Sequence, residues 1–194
     1  MRGFLFESLE TVLLALVVFL ILQASVQNFR VEGISMDPTL AHGQYRLVNK
    51  LVYEPLPFQS ADGTDAEFQR WLSPFHAPQQ GDVIVFHEPN DPSRDFVKRV
   101  IGVPGDTVEL RFGIDYVNDF PLDEPYLVKR DTSNLAPVFV QQGFYFVLGD
   151  NRALSYDSRE LGPIPQENIV GKAWFSYWPL SSIEALSAVL GILR

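Results

Sequence analysis

Ser35 and Lys98 are the two side chains of this sequence whose types and settings could share one reaction. Ser35 lies in Gly33-Ile-Ser35-Met-Asp-Pro-Thr-Leu40, a stretch that by itself also reads as an ordinary turn or helix cap. A serine hydroxyl is a weak nucleophile and needs a base beside it. The three histidines, His42, His76 and His87, are scattered and follow neither triad nor metal-ligand spacing. A lysine can serve as base if its pKa falls from about 10.4 to about 7–8, which disfavours the ammonium by about 4 kcal/mol. In Asp95-Phe-Val-Lys98-Arg99-Val-Ile101, strand alternation puts Phe96, Lys98 and Val100 on one face. Burial of that face strips water from the ammonium and leaves free amine to accept a proton. Arg99 points to the opposite face and keeps its proton. A Lys-Arg pair on an edge strand, with Lys98 reaching back to water, fits the same segment. A third segment, Gly149-Asp150-Asn-Arg152-Ala-Leu-Ser155-Tyr-Asp157-Ser-Arg159, is dense in charged and hydroxyl groups. Taken alone it is a polar loop.

The elements that must hold these residues read as short strands. Tyr45–Leu51, Val83–His87, Phe96–Val103, Thr107–Phe112, Phe144–Leu148 and Val170–Trp178 are strand-length, and several are rich in Val, Ile, Phe and Tyr. Turn signals separate them at Gly81-Asp82, Asn90-Asp91-Pro92, Pro104-Gly105-Asp106, Asn118-Asp119 and Gly149-Asp150-Asn151. The pattern predicts a mainly antiparallel β domain over 30–180. Residues 54–80 break the rhythm. They are rich in Pro, Gln and Asp, and Thr64-Asp-Ala-Glu67 has capping-box form ahead of Phe68 and Trp71. This stretch reads either as a surface insertion packing its aromatics back on the sheet or as a lip at the lipid headgroups. The tail, 181–194, could form a short amphipathic helix with Ile183, Leu186, Leu190 and Leu193 on one face, too short to span a bilayer.

After a short tail, 1–10, residues 11–29 carry no formal charge, and Val12–Leu22 is apolar throughout. As a helix at about 1.5 Å per residue this stretch reaches roughly 28 Å, close to the hydrocarbon thickness of a bilayer. The spacing predicts a retained transmembrane anchor. A cleaved leader fits less well, because sites near Ala24 would place Leu22 where a small residue belongs. A buried core helix is the remaining alternative. Arg2 favours a cytoplasmic N-terminus, whereas Arg30, Arg46 and Lys50 pull the other way. The 194 residues suffice for one domain, and 46% hydrophobic composition allows a core. A net charge of −9 argues against general nucleic-acid affinity. Cysteine is absent, which removes disulfides, thiol nucleophiles and thiolate metal sites.

In combination, and in this order, these segments resemble the type I signal peptidases, the bacterial leader peptidases that are Ser/Lys serine endopeptidases. The family pattern of an anchor followed by Ser-Met-x-Pro-Thr-Leu is met by Ser35–Leu40. Val-Asn-Lys is met at Val48–Lys50, and Gly-Asp-x-Val-Val-Phe in near form at Gly81–Phe86. Lys-Arg-Val-Ile-Gly-x-Pro-Gly-Asp is met at Lys98–Asp106, and Gly-Asp-Asn-Arg-x-x-Ser-x-Asp-Ser-Arg at Gly149–Arg159. The resemblance extends from the anchor to about Trp178, apart from 54–80.

The resemblance implies an antiparallel β catalytic domain of signal-peptidase type behind one N-terminal membrane helix. It makes Ser35 the nucleophile, Lys98 the base and Ser155 the serine that orients the lysine amine. Asp150, Arg152, Asp157 and Arg159 become a supporting ion-pair set that engages Arg99, and Gly33 and Met36 border the substrate. The implied partners are signal peptides of exported preproteins and the lipid bilayer, with no cofactor, metal or nucleic acid. The implied location is the cytoplasmic membrane, single-pass, with the catalytic domain on the extracytoplasmic side. Two departures stand out. Gly33 occupies a position where many relatives carry a hydroxyl donor for the oxyanion, and Ala153-Leu154 replace a usual polar pair. A self-cleaving repressor-type Ser/Lys peptidase shares the dyad logic but has no anchor. An inactive membrane-tethered β scaffold would make no use of the dyad.

Overall fold

Short runs of β-branched and aromatic residues between turn formers have little choice but to pair, since a lone strand leaves its backbone polar groups unmet. A computed structural model of the chain describes residues 2–50, 53 and 77–178. The expected 54–80 insertion, save its last four residues, and the 181–194 helix lie outside the described residues.

Helix α1 (Arg2–Ser25) opens the chain over 24 residues. Leu9, Val12, Leu13, Leu14, Leu16, Val17, Val18, Phe19 and Leu20 stand exposed around it. Among the residues whose side chains are described, no helical stretch is long and apolar enough to cross a membrane. The helix starts before the expected 11 and stops short of the expected 29. Residues 26–29 belong instead to β1 (Val26–Arg30), whose full length pairs antiparallel with β2 (Tyr45–Asn49). Val26 and Asn28 gain little from a helix, and β2 offers the whole segment a complete ladder.

The other strands are β3 (Val83–Glu88), β4 (Asp91–Gly102), β5 (Thr107–Arg111), β6 (Ile114–Val117), β7 (Phe120–Pro121), β8 (Leu135–Phe139), β9 (Phe144–Leu148), β10 (Ile164–Pro165) and β11 (Ile169–Trp178). A short helix, α2 (Ser158–Leu161), follows the polar loop. A seven-stranded sheet has the order β1-β2-β11-β3-β4-β9-β10, and a four-stranded sheet the order β7-β6-β5-β8. All pairings are antiparallel. The chain crosses between sheets at Val103–Asp106, where Val103 donates its backbone N–H to the Asp106 carboxylate at 2.9 Å.

Three apolar clusters result. Ile84, Phe86, Val100, Tyr145, Val147 and Ile164 fill the large sheet's inner face. Ile101, Val108, Leu110, Val140, Phe146 and Leu148 weld the small sheet to it. Val31, Met36 and Leu40 form a third cluster with Val83 and Val97. Alternation along β4 thus sends Val100 to one core and Ile101 to the other.

β4 starts five residues before the expected Phe96. Asp91-Pro92 read as a turn, yet Pro92 is accommodated because the first half of β4 pairs only with β3. β9 meets β4 from Arg99 onward. Proline is tolerated on such a one-sided stretch, where its missing N–H has no ladder to join. Strands β6, β7, β8 and β10 were not expected from the pattern, being short or interrupted by Asp115 and proline. The Asn118-Asp119 turn is as expected, with both residues at positive φ between β6 and β7.

β2 and β11 approach so closely at Gly171 that a Cβ there would lie 2.4 Å from the Asn49 carbonyl oxygen. Gly171→Ala is expected to cost about 1–3 kcal/mol and to lower the melting temperature by several degrees, measured by circular dichroism. An unchanged melting curve would contradict this packing.

Candidate active site

The turn that carries Ser35 is fixed on both sides. Upstream, Val31 donates its N–H to the Gln44 carbonyl at 2.8 Å and accepts from Gly43 at 2.9 Å. Gly33 has φ +94°, a conformation that favours glycine. Its N–H donates to His42 Nδ1 at 3.0 Å. Downstream, Met36 and Leu40 are buried plugs in the third cluster, and Leu40 N–H closes on the Met36 carbonyl at 2.9 Å. Ser35 between them cannot drift far from β4.

Lys98 sits on β4 opposite Ile84 and is 2% exposed. Its Nζ donates to Ser35 Oγ at 2.8 Å and stands 5.3 Å from the centre of the Phe96 ring. Burial lowers its pKa from 10.5 to about 8. Asp157 and Asp150 pull it upward, while Arg159 works with burial. The same contact reverses once the amine is neutral, with Oγ–H donating to Nζ. Such a pair is suited to acyl transfer, since the hydroxyl proton has an acceptor already in place.

Each supporting residue occupies a definite place. Asp150, buried, receives two bonds from Arg99, Nε to Oδ1 at 2.9 Å and Nη2 to Oδ2 at 2.6 Å. Arg99 is on the face away from Lys98, and the Tyr126 ring lies 3.9 Å from its Cζ. Asp157 caps α2 and accepts from Gly149 N–H at 3.0 Å and from Arg159 Nε at 2.9 Å. Arg159 also reaches Asp131 at 2.8 Å and the Arg152 carbonyl at 2.6 Å. Arg152 does not turn to Arg99. It is buried between Glu124 and Asp115, the latter 2.7 Å away, and its Nε donates to the Gly149 carbonyl at 3.1 Å. Burial raises the Asp115 pKa.

Ser155 is brought to the site, but its Oγ has no hydrogen-bond partner among the described residues. The expected bond to the Lys98 amine is therefore not made here. The hydroxyl instead lies against Gly149, where a Cβ would come within 2.2 Å of Ser155 Oγ and 2.5 Å of the Ser35 carbonyl oxygen. Close approach of the loop to the Ser35 turn thus requires glycine. Ala153 and Leu154 lie exposed on a single 3-10 turn, so their apolar character leaves the ion pairs undisturbed.

Sequence reasoning missed His42 at Gly33, Asn151, Glu124, Tyr126, Asp115 and Asp131. Asn151 donates its N–H to the Ser35 carbonyl at 2.9 Å and its side-chain amide to the Ile34 carbonyl at 3.1 Å. It lies inside a quoted motif and was open to notice. The others sit on elements that no local pattern links to the site.

A cleft of about 440 Å³ runs past Ser35 and Lys98, bordered by Phe29–Gly33 and Met36 on one side and Ser93–Val97 on the other. Gly33 and Met36 line it. Among the described residues no group of His, Asp or Glu is placed to hold a metal ion.

A serine and a desolvated lysine in contact beside an extended cleft, on two antiparallel sheets, define a candidate peptide hydrolase. The chain belongs to the signal peptidase family, peptidase S26, whose model matches residues 5–178, and so to the serine endopeptidases. It is 38% identical over 186 residues to a probable signal peptidase I-1 of Synechocystis, covering 92% of this chain and 85% of that one. It is 33% identical to signal peptidase I of Bacillus licheniformis, covering 94% and 93%. Against signal peptidase IB of Staphylococcus aureus it is 36% identical, covering 92% and 93%. A crystal structure of a signal peptidase I from Enterococcus faecalis aligns with a TM-score of 0.47 at 34% identity, covering 51% of this chain and 98% of that one.

Two outcomes are expected. The fold penalises the Lys98 ammonium, so the penalty is complete below pH 8 and disappears above the unfolded value of 10.5. Lys98→Met should therefore raise stability at pH 7 by on the order of 3 kcal/mol, a gain that shrinks above pH 8; urea unfolding at several pH values measures it. Gly149→Ala should keep the circular dichroism spectrum but lose roughly 100-fold in peptidase rate as the loop is pushed off Ser35.

Proposed function

We propose that this chain is a membrane-anchored endopeptidase that removes N-terminal signal peptides from exported preproteins, with Ser35 as nucleophile and Lys98 as base. The 2.8 Å contact between a buried lysine amine and the Ser35 hydroxyl carries the reading. Neutral Lys98 takes the Ser35 proton as Oγ attacks the scissile carbonyl carbon. The developing oxyanion meets the Ser35 backbone N–H. With Gly33 at the usual hydroxyl position, a second donor must come from backbone or elsewhere. Lys98 then gives its proton to the leaving amine, and the acyl-enzyme forms. Water, deprotonated by the same amine, attacks the ester and frees Ser35. Ser155, beside the Ser35 turn, is poised to orient the amine by a small rotation of either side chain. The Arg99–Asp150 and Arg159–Asp157 pairs hold the walls around it.

The substrate binds as an extended strand along the cleft, because among the described residues Asp91–Lys98 has no strand partner on the side away from β3. Relatives named as signal peptidases support signal-peptide cleavage; on this reading the cut follows a small-x-small sequence, with shallow apolar pockets taking the small residues. α1 serves as the anchor. At about 1.5 Å per residue its 24 residues reach roughly 36 Å, and apolar side chains on every face suit lipid. Ser35 follows the helix end at Ser25 by ten residues, which keeps the nucleophile near the level at which a membrane-inserted signal helix ends. Confinement of both partners to one surface raises their effective concentration. The catalytic domain then lies on the extracytoplasmic side of the cytoplasmic membrane.

In a preprotein cleavage assay, Ser35→Ala and Lys98→Met are each expected to lose roughly 10³-fold or more. For the wild type, kcat/KM should rise about tenfold per pH unit up to about 8 and level off above it. Cleavage by either variant at the wild-type rate, or a profile flat below pH 8, would overturn the mechanism.

A further inference from the structure

Glu124 lies between β7 and β8, outside each motif that carries the resemblance, and its side chain is fully buried. One carboxylate oxygen accepts from Tyr126 Oη at 2.8 Å and from Arg152 Nη2. The other accepts from Arg130 Nη1 at 3.2 Å. Two chains of contacts leave this carboxylate and converge on the two sides of the reacting pair. Through Arg152, whose Nε holds the Gly149 carbonyl, the first reaches the loop whose Asn151 N–H holds the Ser35 carbonyl. Through Tyr126, whose ring backs the Arg99 guanidinium, the second reaches the residue next to Lys98 and its partner Asp150. Neither chain ends in the apolar clusters. Both end at the active-site walls.

We propose that Glu124 is a positioning residue for the Ser35/Lys98 pair, pressing the 149–155 loop onto the Ser35 turn through Arg152 and backing Arg99 through Tyr126. This rests on the mechanism given above. Glu124→Gln keeps shape and one acceptor oxygen but removes the charge that balances Arg152 and Arg130. Arg152 is then left to Asp115 alone, one anionic partner in place of two. A loosened loop admits water to Lys98 Nζ, which favours the ammonium. The charged groups that already act on Lys98, namely Asp157, Asp150 and Arg159, belong to this same loop and its walls, so their contributions move with it.

The test compares full-length wild type, Glu124→Gln, Tyr126→Phe, Ser35→Ala and Lys98→Met in detergent micelles. Preprotein cleavage is followed across pH, and rates are scaled to active sites titrated with a serine-acylating probe. Glu124→Gln is expected to lose about 10- to 100-fold in kcat per titrated site, with KM changed less than about threefold. The acid limb of its profile should move up by about half a pH unit or more. Normal kcat per site with an unmoved limb would overturn the proposal, and so would a loss confined to the titrated fraction, which marks mere destabilisation. If Glu124→Gln does not accumulate, Tyr126→Phe decides. It should lose several-fold in kcat with a limb shift in the same direction, and wild-type behaviour would refute the role of Glu124. Should Ser35→Ala or Lys98→Met cleave normally, the dyad itself fails and this proposal falls with it.

Discussion

Removing water from one ammonium group governs the rest of this structure. On the proposed mechanism, Lys98 in solvent would hold its proton through the neutral range and be useless to Ser35. Enclosed by β3, β4 and the Ser35 turn, it gives the proton up near pH 8. The penalty is not offset by an ion pair on the amine itself. Its neighbour is a hydroxyl, and the nearby carboxylates are already committed to Arg99 and Arg159. A carboxylate directly on Nζ would restore the ammonium and abolish the base. The site therefore keeps its acids close enough to shape the walls and occupied enough not to neutralise the effect.

The two sheets divide the labour. The seven-stranded sheet supplies β4, which carries Lys98, and supports the turn that carries Ser35 through the Val31, Met36 and Leu40 plugs. The four-stranded sheet contributes no reacting group. It and its loops supply Asp115, Glu124 and Asp131, which fix the arginines of the polar loop, and Tyr126, which backs Arg99 of β4. Buried charges are costly unless paired, and these are paired across the junction of the sheets. Docking of the small sheet and ordering of the loop are thus one event.

Much of the site was legible in the sequence because its chemistry is local. Alternation alone separates Lys98 from Arg99, whereas the N-cap at Asp157, with Glu160 at capping-box spacing, went unread. The β class followed from composition and turn signals. Other features were illegible for physical reasons. Val26–Phe29 closes the uncharged run after the apolar stretch, so its pairing with β2 depends on a partner nearly twenty residues away. Pro92 reads as a break, and only the one-sided pairing of β4 makes it acceptable. Glu124 and Asp115 look like surface acids, and their burial depends on an arginine some thirty residues onward. The hydrogen bond expected from Ser155 to the lysine amine is absent, since a rotamer is set by packing against Gly149 and not by motif.

On the proposed mechanism, the side-by-side placement of Lys98 and Arg99 makes strand registry a matter of catalysis. A slip of β4 by a single residue would exchange the faces and present Ser35 with a guanidinium, which never releases its proton at any pH the cell tolerates. The dead enzyme would have the same composition, nearly the same hydrogen-bond tally and the same net charge. Irregularities at His87/Glu88 of β3 against β4 and at Val100/Gly102 of β4 against β9 interrupt the ladder on either side of the pair. A chain paired one residue away would lose the fit at both irregularities.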